Sequence, residues 1–172
     1  MLFLDNRANI NCDMRIVLVL FLMFYVPFVC VAGNGDKSFT IPCAMNEADT
    51  TTNFLFVHII RGQECTKCSV SSLYQWEKII AIIGNDNISY LFVVEPHLED
   101  DMSVIQASLE RRPFHQPLFI DNKHDLLKQN PWLSKKKYRE ANGFLIDHCG
   151  NIIAIGDPMS NMRFLKYLSN LR

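Results

Sequence analysis

Apolar positions along this chain change rhythm several times, and each change predicts an element. Residues 53–60 form a dense apolar run between polar flanks, which suits a central strand covered on both faces. Over 69–83 the rhythm becomes helical, with Val70, Leu73, Trp76, Ile80 and Ile83 recurring on one side before Gly84-Asn85-Asp86-Asn87 stops the helix. A second strand is expected over 88–94. Glu99-Asp100-Asp101 then supplies acidic residues at a helix start, Met102, Ile105 and Leu109 continue it, and Pro113 ends it. Residues 117–120 read as a short strand, after which Asp121 caps a brief helix over 123–129 that Asn130-Pro131 terminates. Two further apolar runs, 143–147 and 151–156, flank His148-Cys149-Gly150 and should pair antiparallel as a hairpin. The tail over 161–171 puts Met162, Leu165 and Leu168 on one face with Arg163 and Lys166 outside, the pattern of a closing amphipathic helix. The order β, α, β, α, β, short α, β, β, α describes an α/β domain: a central mixed sheet flanked by helices, whose parallel part precedes a C-terminal β-hairpin and helix.

Ahead of this domain the pattern differs. From 16 to 31 only Pro27 interrupts an apolar run; Arg15 precedes it and the polar stretch Gly33-Asn34-Gly35-Asp36-Lys37 follows. That layout is expected of a secretory signal peptide, with cleavage after Ala32. The run is short for a full span, so an uncleaved membrane anchor is the alternative, and lipid attachment at Cys30 a lesser one, since Phe28-Val29 replaces the usual small residues. Met14-Arg15 supplies the basic end such a leader opens with, so Met14 is a candidate start beside Met1. Residues 1–33 are thus expected to be leader or tether and 34–172 a single domain, extracytoplasmic in either case: periplasmic, or membrane-tethered facing the periplasm.

Composition changes this picture little. A formal net charge of -1 and a hydrophobic fraction of 49% are those of a globular protein and give no reason to expect a nucleic-acid partner. The local run Lys135-Lys136-Lys137 with Arg139 reads as a solvated loop. Of six cysteines, Cys12 and Cys30 fall in the leader, leaving Cys43, Cys65, Cys68 and Cys149. Four are too few to staple a domain of about 135 residues, which buries enough apolar surface without them. The pair at Cys65 and Cys68 therefore needs a reason other than stability.

Cys65-Thr-Lys-Cys68 follows the first strand and opens the first helix. A helix start aims unpaired N–H groups at the first sulfur and favours its thiolate, and the second cysteine, one turn on, stands within disulfide range. Cys65 is the candidate nucleophile and Cys68 the resolving thiol. Zinc is the weaker reading, because His58, His97, His115, His124 and His148 are scattered and no second CxxC occurs. No metal or cofactor is expected. His58 invites a role as base, although a histidine packed in the sheet is the plainer expectation; Trp76 reads as core, Cys149 as an incidental turn residue, and Cys43 as an exchange partner only if its loop folds back.

The CxxC with Leu73 and Trp76-Glu77-Lys78, and the ending Phe144-Leu-Ile-Asp147, Gly150-Asn151, Ile155-Gly156-Asp157-Pro158, resembles the thioredoxin-like superfamily, in particular its extracytoplasmic bacterial members. The resemblance covers nearly all of the chain from Phe39 to Arg172. It implies a thioredoxin-like fold and a monomeric thiol-disulfide oxidoreductase exchanging with protein thiols or disulfides and recharged by an upstream redox donor. Two positions depart from the pattern. Glu140-Ala141-Asn142-Gly143 has no proline where relatives keep a cis-proline before the last hairpin, and Ile59 stands where thioredoxins keep a buried acid six residues before the first cysteine. Glu64 beside Cys65 disfavours a thiolate and Lys67 favours one. These departures motivate a second reading, a non-catalytic binding or envelope-assembly module whose CxxC disulfide is structural.

Overall fold

The computed structural model describes residues 38–45, 52–61, 70–96, 102–111 and 114–171. The expected leader, the dithiol at Cys65 and Cys68, and the acidic helix start at Glu99-Asp100-Asp101 lie outside the described residues.

Five strands form one sheet in the order β3-β2-β1-β4-β5. β1 (Phe54–Arg61) is the middle strand. It pairs parallel with β2 (Ile88–Glu95) in a register that sets Phe54 beside Ile88 and Arg61 beside Glu95. β3 (Leu118–Ile120) extends the parallel part. On the other side β1 pairs antiparallel with β4 (Gly143–Asp147), His58 opposite Gly143, and β4 pairs with the edge strand β5 (Ile152–Ile155). Among the described residues the α-helices are α1 (Tyr74–Ile83), α2 (Met102–Arg111), α3 (Asp125–Gln129), α4 (Lys136–Arg139) and α5 (Met162–Ser169).

β1 and β2 read as unbroken apolar runs because both faces of the sheet are covered. Phe56, Ile60, Tyr90, Phe92, Val94 and Leu145 join Trp76, Ile80 and Ile83 of α1, Ile105 of α2 and Phe164, Leu165 and Leu168 of α5 on one side. Val57, Ile59, Leu91, Val93, Phe144 and Ile146 meet Phe39, Met45, Leu126, Leu133 and Tyr138 on the other. Alternation along each strand, with a period of two, sends neighbouring apolar residues into opposite layers. Asn130, fully buried, ties the second layer together. Its Oδ1 accepts from the Thr40 amide at 2.8 Å, and its Nδ2 donates to the carbonyls of Thr40 at 2.6 Å and Leu126 at 2.9 Å.

The element order expected from the sequence is observed apart from one added short helix before β4, and Asp121 does cap α3. Its two carboxylate oxygens accept from the amides of Asp125 and Leu126 at 2.8 and 2.9 Å. The basic run 135–139 is a correction: it is no plain loop, because Pro131–Ser134 forms a 3-10 turn and Lys136–Arg139 a short helix that buries Tyr138 between exposed cations. Tyr138 stands edge-on to Trp132, with ring centroids 5.1 Å apart. One aromatic residue among four basic ones gives no readable period, so tertiary packing decided this element.

At the hairpin tip Gly150 adopts φ +81°, which a side chain would resist. Asp147 fastens the turn by accepting from the amides of Cys149 and Asn151, each at 2.8 Å, and from Asn151 Nδ2. Burial works against the charge of that carboxylate, yet the hydrogen bonds from Asn151 and Cys149 outweigh it and hold its pKa below the ordinary value. Cys149 itself is disulfide-bonded to a cysteine outside the described residues, so the expectation of an incidental turn residue does not hold. Cys43, in the turn Cys43–Met45, is exposed and free.

Candidate functional site

Three segments far apart in sequence converge at the C-terminal edge of β1. The strand delivers His58, Ile59, Ile60 and Arg61; the first turns of the following helical region bring Ser72, Leu73 and Trp76; the connection into β4 brings Arg139, Glu140 and Asn142. With Asp157 and Met159, these residues enclose a cavity of about 380 Å³.

His58 forms one wall. It is 7% exposed, and aromatic rings surround it: Trp76 at 4.3 Å between centroids, Phe92 at 5.6 Å and Phe56 at 6.5 Å. Its Nδ1 is buried without a hydrogen-bond partner. Burial, seconded by the charge of Arg61, lowers its pKa to about 3, so the ring is neutral at physiological pH. The sequence expectation of a histidine packed in the sheet is therefore met, and a resting imidazolium is not available here. Ile59, the next residue, is fully buried in the opposite layer and offers no titratable group.

Arg61 is the residue that sequence reading missed. Its side chain is only 12% exposed. Nη1 donates to the carbonyl of Arg139 at 2.8 Å and to that of Ala141 at 2.6 Å, while Nε lies 3.6 Å from Glu95 Oε2. Burial pushes the Glu95 carboxyl up and the Arg61 guanidinium down from their usual values, each partly offset by the other's charge. A signal was present: Arg61 and Glu95 each end an apolar strand with a charge, and parallel pairing in register sets those charges side by side.

The segment Glu140-Ala141-Asn142, where the sequence resemblance implies a cis-proline, borders the cavity through Glu140 and Asn142. It contains no cis peptide bond. The Ile59 amide donates to the Asn142 carbonyl at 2.7 Å, and the Ala141 amide to that of Tyr138 at 3.1 Å. Glu140 and Asn142 are exposed. Next to it Gly143 has no room for a side chain, since a Cβ would strike the Gly156 carbonyl oxygen and lie 2.6 Å from the Phe56 ring. Trp76, expected in the core, is there at 2% exposure and also lines the cavity.

The parallel strands β3, β2 and β1 in one sheet with an antiparallel C-terminal hairpin, helices on both faces and a closing helix match the α/β arrangement expected from the sequence. Solved structures similar to it include StoA from Bacillus subtilis, 15% identical with a TM-score of 0.48 over 69% of this chain and 81% of that one. A thioredoxin-like protein solved in its oxidized form is 16% identical, TM-score 0.48, over 79% and 90%. The exposed lipoprotein thioredoxin of Streptococcus pneumoniae is 16% identical, TM-score 0.46, over 67% and 84%. No family model matches the chain, and no curated protein matches it significantly.

Proposed function

We propose that this chain is an exported thiol-disulfide oxidoreductase that exchanges disulfides with protein partners through Cys65 and Cys68. The observation that carries this reading is the position of the cavity. Arg61, at its rim, is among the last described residues before the segment bearing both cysteines, and Ser72 and Leu73, also at its rim, follow that segment. Described residues that precede and follow the dithiol segment in sequence, Arg61 before it and Ser72 and Leu73 after it, thus line one cavity, which supports a site there.

In this mechanism the Cys65 thiolate attacks one sulfur of a substrate disulfide. The S–S bond breaks, the second substrate sulfur leaves as a thiolate that takes up a proton, and a mixed disulfide remains. The Cys68 thiol gives its proton to solvent and attacks Cys65 Sγ, releasing the first substrate sulfur. The substrate gains two electrons, Cys65 and Cys68 end as a disulfide, and an upstream dithiol donor restores them. The apolar run 16–31 supports export, with the domain periplasmic or tethered to the membrane. Reduction of insulin disulfides by the purified domain tests the proposal: Cys65→Ser should abolish turnover, and a Cys65→Ser variant as active as the parent would sink it.

One observation favours the second reading, a binding module with a structural disulfide. The fully buried Ile59 and the neutral His58 leave the cavity without a buried acid or base able to take a proton at neutral pH among the described residues. A parent chain that is folded yet inactive in the insulin assay is the outcome that reading expects.

A further inference from the structure

The connection from α4 into β4 is held in an unusual way for a cavity wall. Neither Glu140 nor Asn142 buries its side chain, and Ala141 is only partly buried, so apolar packing does little to fix the segment. Its main chain is fixed instead. The Ile59 amide holds Asn142 from within the sheet, and Arg61 reaches across from the end of the same strand to hold the carbonyls of Arg139 and Ala141 with one nitrogen. Burying a guanidinium for this purpose is costly unless an opposite charge and satisfied donors accompany it. Glu95, in register on the neighbouring strand, provides that charge.

We propose that Arg61 is a positioning residue: anchored by Glu95, it sets the Glu140-Ala141-Asn142 wall of the cavity against which the polypeptide flanking a substrate disulfide docks. The inference rests on the exchange reading above and adds to it the residue that determines how polypeptide substrates are held. A guanidinium suits this task because its planar fork serves a carboxylate and carbonyls from fixed directions, which the point charge of a lysine does not. A small disulfide has no flanking chain and does not need the wall.

Two variants test this. Arg61→Lys keeps a cation opposite Glu95 and so guards against simple unfolding; Arg61→Leu with Glu95→Leu removes both charges together. Each is assayed with insulin and with hydroxyethyl disulfide, and its thermal midpoint is recorded. The expected result is a KM for insulin raised about five-fold or more with kcat nearly unchanged, and hydroxyethyl disulfide turnover within about two-fold of the parent. Unchanged insulin KM in both variants, or equal losses on both substrates, overturns the positioning role. A parent chain that turns over neither disulfide is a different failure: it removes the exchange reading itself, and the role of Arg61 with it.

Discussion

His58 concentrates the tension between stability and chemistry at one residue. An imidazole nitrogen buried without a hydrogen-bond partner costs about 1–3 kcal/mol, and three aromatic rings pack around this one. Its pH behaviour follows from the shifted pKa. The unfolded chain binds a proton at this residue near pH 6.5, whereas the folded chain refuses it until about pH 3. The unfolded state therefore holds more protons throughout that window. The stability associated with neutral His58 is complete above it and lost at about 1.4 kcal/mol per pH unit as pH falls through it. His58→Phe should fit the aromatic surroundings, raise stability at pH 7 by about 1 kcal/mol and flatten the acid limb between pH 6 and 4. Urea denaturation as a function of pH measures both; an unchanged acid limb would mean that other groups govern it.

At the scale of elements, β4 is paired tightly between β1 and β5. Gly143 lies opposite His58 in β4, and a Cβ there would collide with the Gly156 carbonyl and the Phe56 ring. Gly156 is wedged in turn against the ring of Phe164 in α5, so strand, hairpin and closing helix meet in two glycine contacts. Gly143→Ala must push the end of β5 or the Phe56 ring aside, at a cost of about 2 kcal/mol. A guanidinium titration should find the midpoint lowered with an unchanged m-value. A midpoint equal to the parent's would show that the packing around Gly143 yields freely. The basic stretch around Tyr138 teaches a related lesson. Local composition reads as a solvated loop, and only the slot beside Trp132 makes Tyr138 the residue that turns it into a helix.

For the whole molecule, the decisive property is redox poise. A dithiol that cycles must have a reduction potential within reach of cellular donors, whereas a structural disulfide sits below about -300 mV and resists glutathione. The exchange reading expects the Cys65–Cys68 couple above that value when the domain is equilibrated in dithiothreitol buffers and its thiols are counted by alkylation. A lower potential supports the binding module. Cys43, exposed and free, supplies an internal reference for that alkylation.

The sequence alone determined the element order apart from the short helix around Tyr138, the mixed sheet and the two apolar layers, because strand alternation, helical spacing and turn residues are local and each leaves a period or a punctuation mark. It also singled out Cys65 and Cys68, since a CxxC between strand and helix is a local motif. The cavity, the clamp from Arg61 to the Arg139 and Ala141 carbonyls, the unpaired nitrogen of His58 and the disulfide at Cys149 were decided by tertiary structure. Each depends on atoms from segments scores of residues apart, or on which neighbours a side chain lacks, and a single strand or helix carries no trace of either. Arg61 lies 78 residues from one carbonyl it holds and 80 from the other. Only closing the sheet brings them within 3 Å.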